Sequence, residues 1–202
     1  MAMLVTGGAR SGKSSFAEKL AARLGEQGVY LATSRIWDGE MAERIALHQQ
    51  NREQDIFRWT TIEEPMELPA RLRQLAKEAY ELELMEGKPP VVLIDCLTLW
   101  LTNVLMEAEE RERSDSAESS RDWLSEKLHE LAAAVQEYHY PLILVTNEVG
   151  DGIVPAYPLG RRFRDEAGRL NQRMAALSEK VFLVTAGIPV ELKALAFRWE
   201  SL

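Results

Sequence analysis

The sequence predicts an α/β fold in which a largely parallel sheet is covered by helices on both faces. Short, continuous runs of Val, Leu, Ile and Ala alternate with longer segments whose apolar residues recur at helical spacing. The first of these runs leads directly into a glycine-rich turn, MLVTGGARSGKSS at Met3 to Ser15, and then into an amphipathic segment. At 202 residues the chain is sized for one domain, 1–202, able to bury a full sheet core.

Each element can be read in order. Leu4 and Val5 end the first strand. Phe16, Leu20 and Leu24, with Ala17 and Ala21 beside them, mark a helix that Gly25 stops. Val29 to Ala32 reads as a second buried strand that delivers Thr33, Ser34 and Arg35 to the carboxyl edge, where open α/β sheets bind ligands. A helix is expected from about Asp38 to Asn51. It places Met41, Ile45 and His48 on one face, with Arg44 and Arg52 one turn either side of His48. Phe57 to Thr61 reads as a short strand. Pro65 to Glu86 carries the helical stripe Leu68, Leu72, Leu75, Ala79 and Leu82, ended by Gly87.

Val91 to Ile94 is apolar throughout, as a strand covered on both faces should be, and it delivers Asp95. Charges and serines over Glu107 to Ser120 cannot fill a core. That run, around 107–120, reads as a solvated, mobile loop or a frayed helix end. A helix from Asp122 to Tyr138 and a strand from Leu142 to Val145 follow. The loop Val149 to Leu159, with Gly150, Gly152, Pro155 and Pro158, suits a lid or substrate loop. A helix from Arg161 to Glu179 and a strand from Val181 to Thr185 complete the alternation.

The formal net charge of -8 argues against a general nucleic-acid binder, which needs clustered excess cations. One cysteine, Cys96, excludes an intrachain disulfide and fits a small buried thiol in a reducing compartment. Asp95 interrupts the most apolar stretch, Val91 to Leu101, which is too short for a membrane span. No targeting segment is evident ahead of Gly7, so a cytoplasmic location is expected.

Gly7, Gly12, Lys13 and Ser14 fit the pattern G-x-x-x-x-G-K-[ST], with Gly8, Ala9, Arg10 and Ser11 between the glycines. Such a loop curls its backbone N–H groups toward phosphate oxygens, its lysine neutralises charge near the β and γ phosphates, and its serine reaches Mg²⁺. The expected fold is a P-loop NTPase, of the RecA-like kind. Asp95, ending a later strand, is the candidate to hold Mg²⁺ or its water opposite Ser14. His48 is a lone histidine on a helix face, a setting more often structural than catalytic. Its position between Arg44 and Arg52 points the other way. Neutral imidazole attacks phosphorus competently, and flanking guanidinium groups would hold phosphates and keep the ring unprotonated. Beyond nucleotidyl transfer, two readings stay open: a small-molecule kinase in which His48 is only helix surface, and a nucleotide-switched binding protein.

Four blocks carry a specific resemblance: LVTGGARSGKS at Leu4 to Ser14, YLATSRIWDGEMAERIALH at Tyr30 to His48, LIDCLTLWLTN at Leu93 to Asn103, and VTNEVGDGIVP with RRFRDEAGRLNQR at Val145 to Arg173. Together they make the sequence similar to the bifunctional adenosylcobinamide kinase and adenosylcobinamide-phosphate guanylyltransferase family of cobalamin synthesis. The resemblance implies that Gly7 to Ser14 bind the triphosphate of ATP or GTP and that Thr33, Ser34 and Arg35 contact nucleotide. It implies that His48 attacks the α-phosphate of GTP, expels pyrophosphate and carries GMP. Gln49, Gln50, Asn51, Arg52, Glu63 and Asp95 match positions that contact the guanine nucleotide. Gln49 stands where many members carry a basic residue, and Glu53 where many carry proline.

The implied chemistry has two stages: phosphorylation of adenosylcobinamide, then GMP transfer to adenosylcobinamide phosphate. Arg10 and Lys13 are the expected charge stabilisers, while Glu148 and Asp95 are candidate bases for the kinase step. For the corrinoid, Val149 to Tyr157 and the basic run Arg161, Arg162 and Arg164 are the first places to look. A homotrimer is likewise implied by the resemblance alone.

Overall fold

The apolar runs of this sequence lack polar interruption, and a strand of that kind is stable only when both of its faces are covered. The computed structural model describes residues 1–35, 57–114 and 117–197. Seven strands form one sheet: β1 (Ala2–Thr6), β2 (Gln27–Ala32), β3 (Arg58–Glu63), β4 (Val91–Asp95), β5 (Leu142–Val145), β6 (Lys180–Thr185) and β7 (Ile188–Glu191). Their spatial order is β3-β2-β4-β5-β1-β6-β7. All neighbours run parallel except β6 and β7.

The described helices are α1 (Lys13–Leu24), α2 (Leu68–Leu84), α3 (Leu97–Ser114), α4 (Ala117–Glu137), α5 (Pro158–Leu177) and the short α6 (Leu192–Leu195). Successive strand side chains point to opposite faces, so each apolar run feeds two cores. Leu4, Val92, Ile94, Leu142 and Leu144 enter a core shared with α2, α3, α4 and α5. Val5, Leu93, Ile143 and Val145 face the other way, toward α1. Trp100 is completely buried in the first core, and its indole N–H donates to the Met66 carbonyl at 2.9 Å.

Most expected elements form within a few residues of their expected bounds, with informative differences. On α1 the wholly buried positions are Ala17 and Ala21, while Phe16, Leu20 and Leu24 are half-buried flanks. Small residues sit at the closest approach to the sheet, and the larger ones pack around it, Phe16 edge-on to Phe182 at 5.1 Å. The charged run from Glu107 is helix, not loop, as far as Ser114, and helix resumes at Ala117. Several of its charges are paired: Arg111 lies 3.1 Å from Glu107 one turn away, and Arg162 of α5 reaches Glu109 at 2.8 Å and Glu112 at 2.7 Å.

Strand β7 and helix α6 lie beyond the last element expected from the sequence. Ala186 and Gly187 both have positive φ, 52° and 78°, as a two-residue hairpin turn demands. Pro189 argues against a strand, but β7 sits at the sheet edge, where a missing N–H is tolerated. The helix expected from Asp38 to Asn51 lies outside the described residues.

Candidate active site

The turn after β1 closes on itself at the carboxyl edge of the sheet. Ser11 N–H donates to the Gly8 carbonyl at 3.3 Å, and the buried Lys13 places Nζ 3.0 Å from the same oxygen. Gly12, with φ 92°, caps α1 without a side-chain hydrogen bond, so no side chain caps the first amides of the helix. A helix start left in that state is a ready anion site. Gly7 is required sterically: a Cβ there would stand 2.4 Å from the Val184 carbonyl oxygen and 2.8 Å from Ser11 Oγ. Gly8, Ala9 and Arg10 are exposed along the loop, and Arg10 itself adopts a left-handed φ of 57°.

The loop is propped from behind by a feature that the sequence reading missed. Gly187, in the β6–β7 hairpin turn, donates its N–H to the Ser11 carbonyl at 2.8 Å. An added Cβ on Gly12 would lie 3.2 Å from Gly187 Cα. The close approach of two glycines was the only available signal, and it is invisible before the hairpin is known.

Asp95 ends β4, separated from β1 by β5 alone. At about 4.8 Å per strand spacing, the carboxylate lies roughly 10 Å across the sheet from the phosphate-loop strand. One of its oxygens, Oδ2, accepts a 2.9 Å hydrogen bond from the Tyr30 hydroxyl. Next to it Cys96 is the buried thiol expected. Burial first, and then the Asp95 charge, push its pKa up to about 12, so it stays a protonated, inert thiol.

Thr33 is fully buried. Its hydroxyl donates to the Cys96 carbonyl at 2.7 Å and accepts the Cys96 N–H at 2.8 Å. Asn103 Nδ2 bridges the Thr33 and Pro65 carbonyls at 2.9 and 3.0 Å. The Thr33 side chain therefore braces the ends of β2 and β4, while Ser34 and Arg35, half-exposed, are the residues of that stretch open to a ligand. Glu63 is exposed at the end of β3, opposite Ala32.

At the end of β5 a buried polar network fixes the backbone. Thr146 Oγ1 donates to Asn171 Oδ1 at 2.7 Å and lies 3.2 Å from Thr98 Oγ1. Asn171 Nδ2 donates to the Asn147 carbonyl at 3.0 Å, and Asn147 N–H to Thr98 Oγ1 at 2.8 Å. Glu148 follows, its N–H donating to the Gly7 carbonyl at 3.1 Å, so the ends of β5 and β1 are stitched together. Two members of the expected basic run are engaged elsewhere. Arg161 Nη1 donates to the carbonyls of Pro155 and Ala156, and Arg162 is held between two glutamates.

Gly7 to Ser14, Ser34, Arg35, Glu63 and Asp95 thus share the carboxyl edge. His48, Gln49, Gln50, Asn51 and Arg52 lie outside the described residues. Among the described residues no three His, Cys, Asp or Glu gather as a metal cluster, and no helix is long and apolar enough to cross a membrane.

A glycine-rich phosphate loop between the first strand and first helix of a parallel sheet, with an acidic strand end beyond one intervening strand, defines a nucleotide-binding protein of the P-loop NTPase fold. The intervening strand is the RecA-like arrangement. The family model described as cobinamide kinase / cobinamide phosphate guanyltransferase matches residues 3–192. The chain belongs to this family and is a bifunctional kinase and guanylyltransferase of cobalamin nucleotide loop assembly. It is 44% identical over 190 residues to the bifunctional adenosylcobalamin biosynthesis protein CobP of Pseudomonas aeruginosa, covering 94% of this chain and 96% of that one. The proteins named CobU of Escherichia coli and Salmonella typhimurium are 40% and 41% identical, each match covering 96% of this chain and all of the relative.

Proposed function

We propose that one phosphate loop serves both transfers, and that the second passes through GMP held covalently on His48. In the kinase step ATP or GTP donates its γ-phosphoryl group to the aminopropanol hydroxyl of adenosylcobinamide. In the second step His48 attacks the α-phosphate of GTP, a P–N bond forms as the bond to pyrophosphate breaks, and GMP then passes to the phosphate of adenosylcobinamide phosphate. A covalent intermediate lets pyrophosphate leave before a bulky corrinoid approaches the same phosphorus atom. The sequence supports the role through Arg44 and Arg52, one helical turn either side of His48 in the expected helix.

The observation that carries the shared site is the closed turn around Gly8, with Lys13 buried against it and α1 opening behind it. The same geometry fits a triphosphate. Ser11 Oγ, inside the loop, is buried without a partner among the described residues, and such an oxygen is costly unless a ligand satisfies it. Mg²⁺ would be held by Ser14 and Asp95 together with phosphate oxygens. One or two protein oxygens plus substrate phosphates suit this ion, and it would neutralise charge on the departing phosphates. Lys13 and Arg10 would stabilise the charge that develops on the transferred groups. Gln49 to Arg52, Glu63, Ser34 and Arg35 would select and orient the nucleotide. We place the enzyme in the cytoplasm, a reducing compartment that its single buried thiol fits, and as a homotrimer, as the family resemblance implies.

The direct test is chromatography of corrinoid products. With adenosylcobinamide, Mg²⁺ and ATP alone, the phosphate ester accumulates; adding GTP converts it to adenosylcobinamide-GDP with release of pyrophosphate. Conversion of adenosylcobinamide-phosphate by GTP with no pyrophosphate released would contradict attack at the α-phosphate.

A further inference from the structure

The rim of the site carries an apolar knob that nucleotide chemistry does not use. Its place is fixed by topology. β5 ends at the carboxyl edge, whereas α5 must finish near Ser178 to start β6 at Lys180, which pairs with Met3 at the opposite edge. The loop from Glu148 to Tyr157 therefore stays on the carboxyl edge, and its first residue is bonded to Gly7 of the phosphate loop. Within it Ile153 is 96% exposed, Val154 59% and Tyr157 64%.

The knob is built, not loose. Arg161 Nη1 donates to the Pro155 carbonyl at 3.1 Å and to that of Ala156 at 2.7 Å. Pro155 and Tyr157 fold over the buried Gly160, where an added Cβ would meet Pro155 Cβ at 2.7 Å and Tyr157 Cε2 at 2.7 Å. Arg162 ties the next turn of α5 to Glu109 and Glu112 of α3. A loop held in this shape keeps three apolar side chains in water beside a polar, phosphate-binding rim. Apolar area of that kind is released from water only when a partner covers it.

We infer that Ile153, Val154 and Tyr157 form the docking surface for the corrinoid acceptor. The reading rests on the kinase and guanylyltransferase function above. A triphosphate offers nothing apolar to Ile153 or Val154. A corrin macrocycle offers a methyl-bearing edge broad enough to cover all three side chains, with amide arms free to meet the surrounding polar rim. Docked there, the acceptor lies on the same carboxyl edge as the phosphate loop, to which the knob is tied through the Glu148 N–H on the Gly7 carbonyl. The two flanking arginines act on the protein itself, one holding the knob and one its base.

The test is equilibrium binding of cobinamide, followed by its visible absorbance in ultrafiltration, to the full chain and to the double variant Ile153→Ser, Val154→Ser. Binding of a fluorescent GTP analogue is measured in parallel. Both side chains are exposed, so the substitutions remove no core contact. The expected result is a rise of about tenfold or more in the cobinamide Kd, consistent with two apolar side chains losing their cover, with GTP affinity unchanged. An unchanged cobinamide Kd overturns the inference, and so does equal weakening of both ligands, which would mark the loop as a brace for the phosphate site. Failure of the parent chain to bind cobinamide while it binds GTP would remove the acceptor reading, and the inference with it.

Discussion

The Tyr30 hydroxyl donates a 2.9 Å hydrogen bond to Asp95 Oδ2, so a ring from β2 fixes the carboxylate that ends the neighbouring β4. The ring is itself held edge-on by Trp59 of β3, with centroids 5.9 Å apart. One carboxylate oxygen is thereby oriented, and in the proposed triphosphate complex the other would meet the metal. Tyr30→Phe keeps the packing and removes only the hydroxyl. A hydrogen bond to a charged group contributes about 1.5–3 kcal/mol. The Mg²⁺ concentration that half-saturates GTP-dependent transfer should rise about tenfold, and the thermal midpoint should fall by roughly 3–10 °C as the same bond is lost from the fold. An unaltered Mg²⁺ requirement would show that the Asp95 orientation does not matter to metal binding.

Gly7→Ala should separate folding from nucleotide binding. The new Cβ would collide with the Val184 carbonyl and Ser11 Oγ. Overpacking of this kind costs about 1–3 kcal/mol, and here the strain falls on the phosphate loop. Isothermal titration should show GTP affinity reduced at least about tenfold, while far-UV circular dichroism stays that of the parent. Parental affinity would mean that the loop can shift without cost.

Lys13→Ala should weaken both transfers, because both are proposed to place a triphosphate in the one loop closed by Lys13 on Gly8. Separate assays of the kinase and guanylyl steps check this. Loss of one with the other intact would assign the two stages to different nucleotide sites.

Cys96 links stability to alkaline pH. Burial first, and then Asp95, raise the thiol pKa from the ordinary 9.0 to about 12. Above pH 9 the unfolded chain loses this proton while the native chain keeps it, so the native state binds more protons. Its contribution is complete below pH 9 and falls away as the pH rises toward 12. Urea unfolding from pH 8 to 10.5 should show a shallower alkaline decline for Cys96→Ala than for the parent. Parallel declines would mean that the thiol is not the group responsible.

Much of the architecture was legible because its strands are uninterrupted apolar runs ending in functional residues. Ile94-Asp95 and Val5-Thr6-Gly7 mark the carboxyl edge in one dimension as clearly as in three. What stayed hidden depends on distant partners. Tyr30 sits inside an apolar run and looks like core until Asp95 is brought beside it. Glu109 and Glu112 look like solvated charge until Arg162, some 50 residues away, enters between them. Strand β7 was masked by Pro189, whose penalty vanishes at a sheet edge. Thr33 shows the same dependence: nothing in its strand-end position announces that its hydroxyl turns inward onto Cys96.

If GMP is carried on His48, incubation with GTP labelled at the α-phosphate leaves the label on the protein. The parent chain should acquire a covalent label that survives alkali and is lost in acid, as a phosphoramidate does. His48→Ala should acquire none while still phosphorylating adenosylcobinamide. Labelling of His48→Ala to the level of the parent would contradict transfer through this histidine.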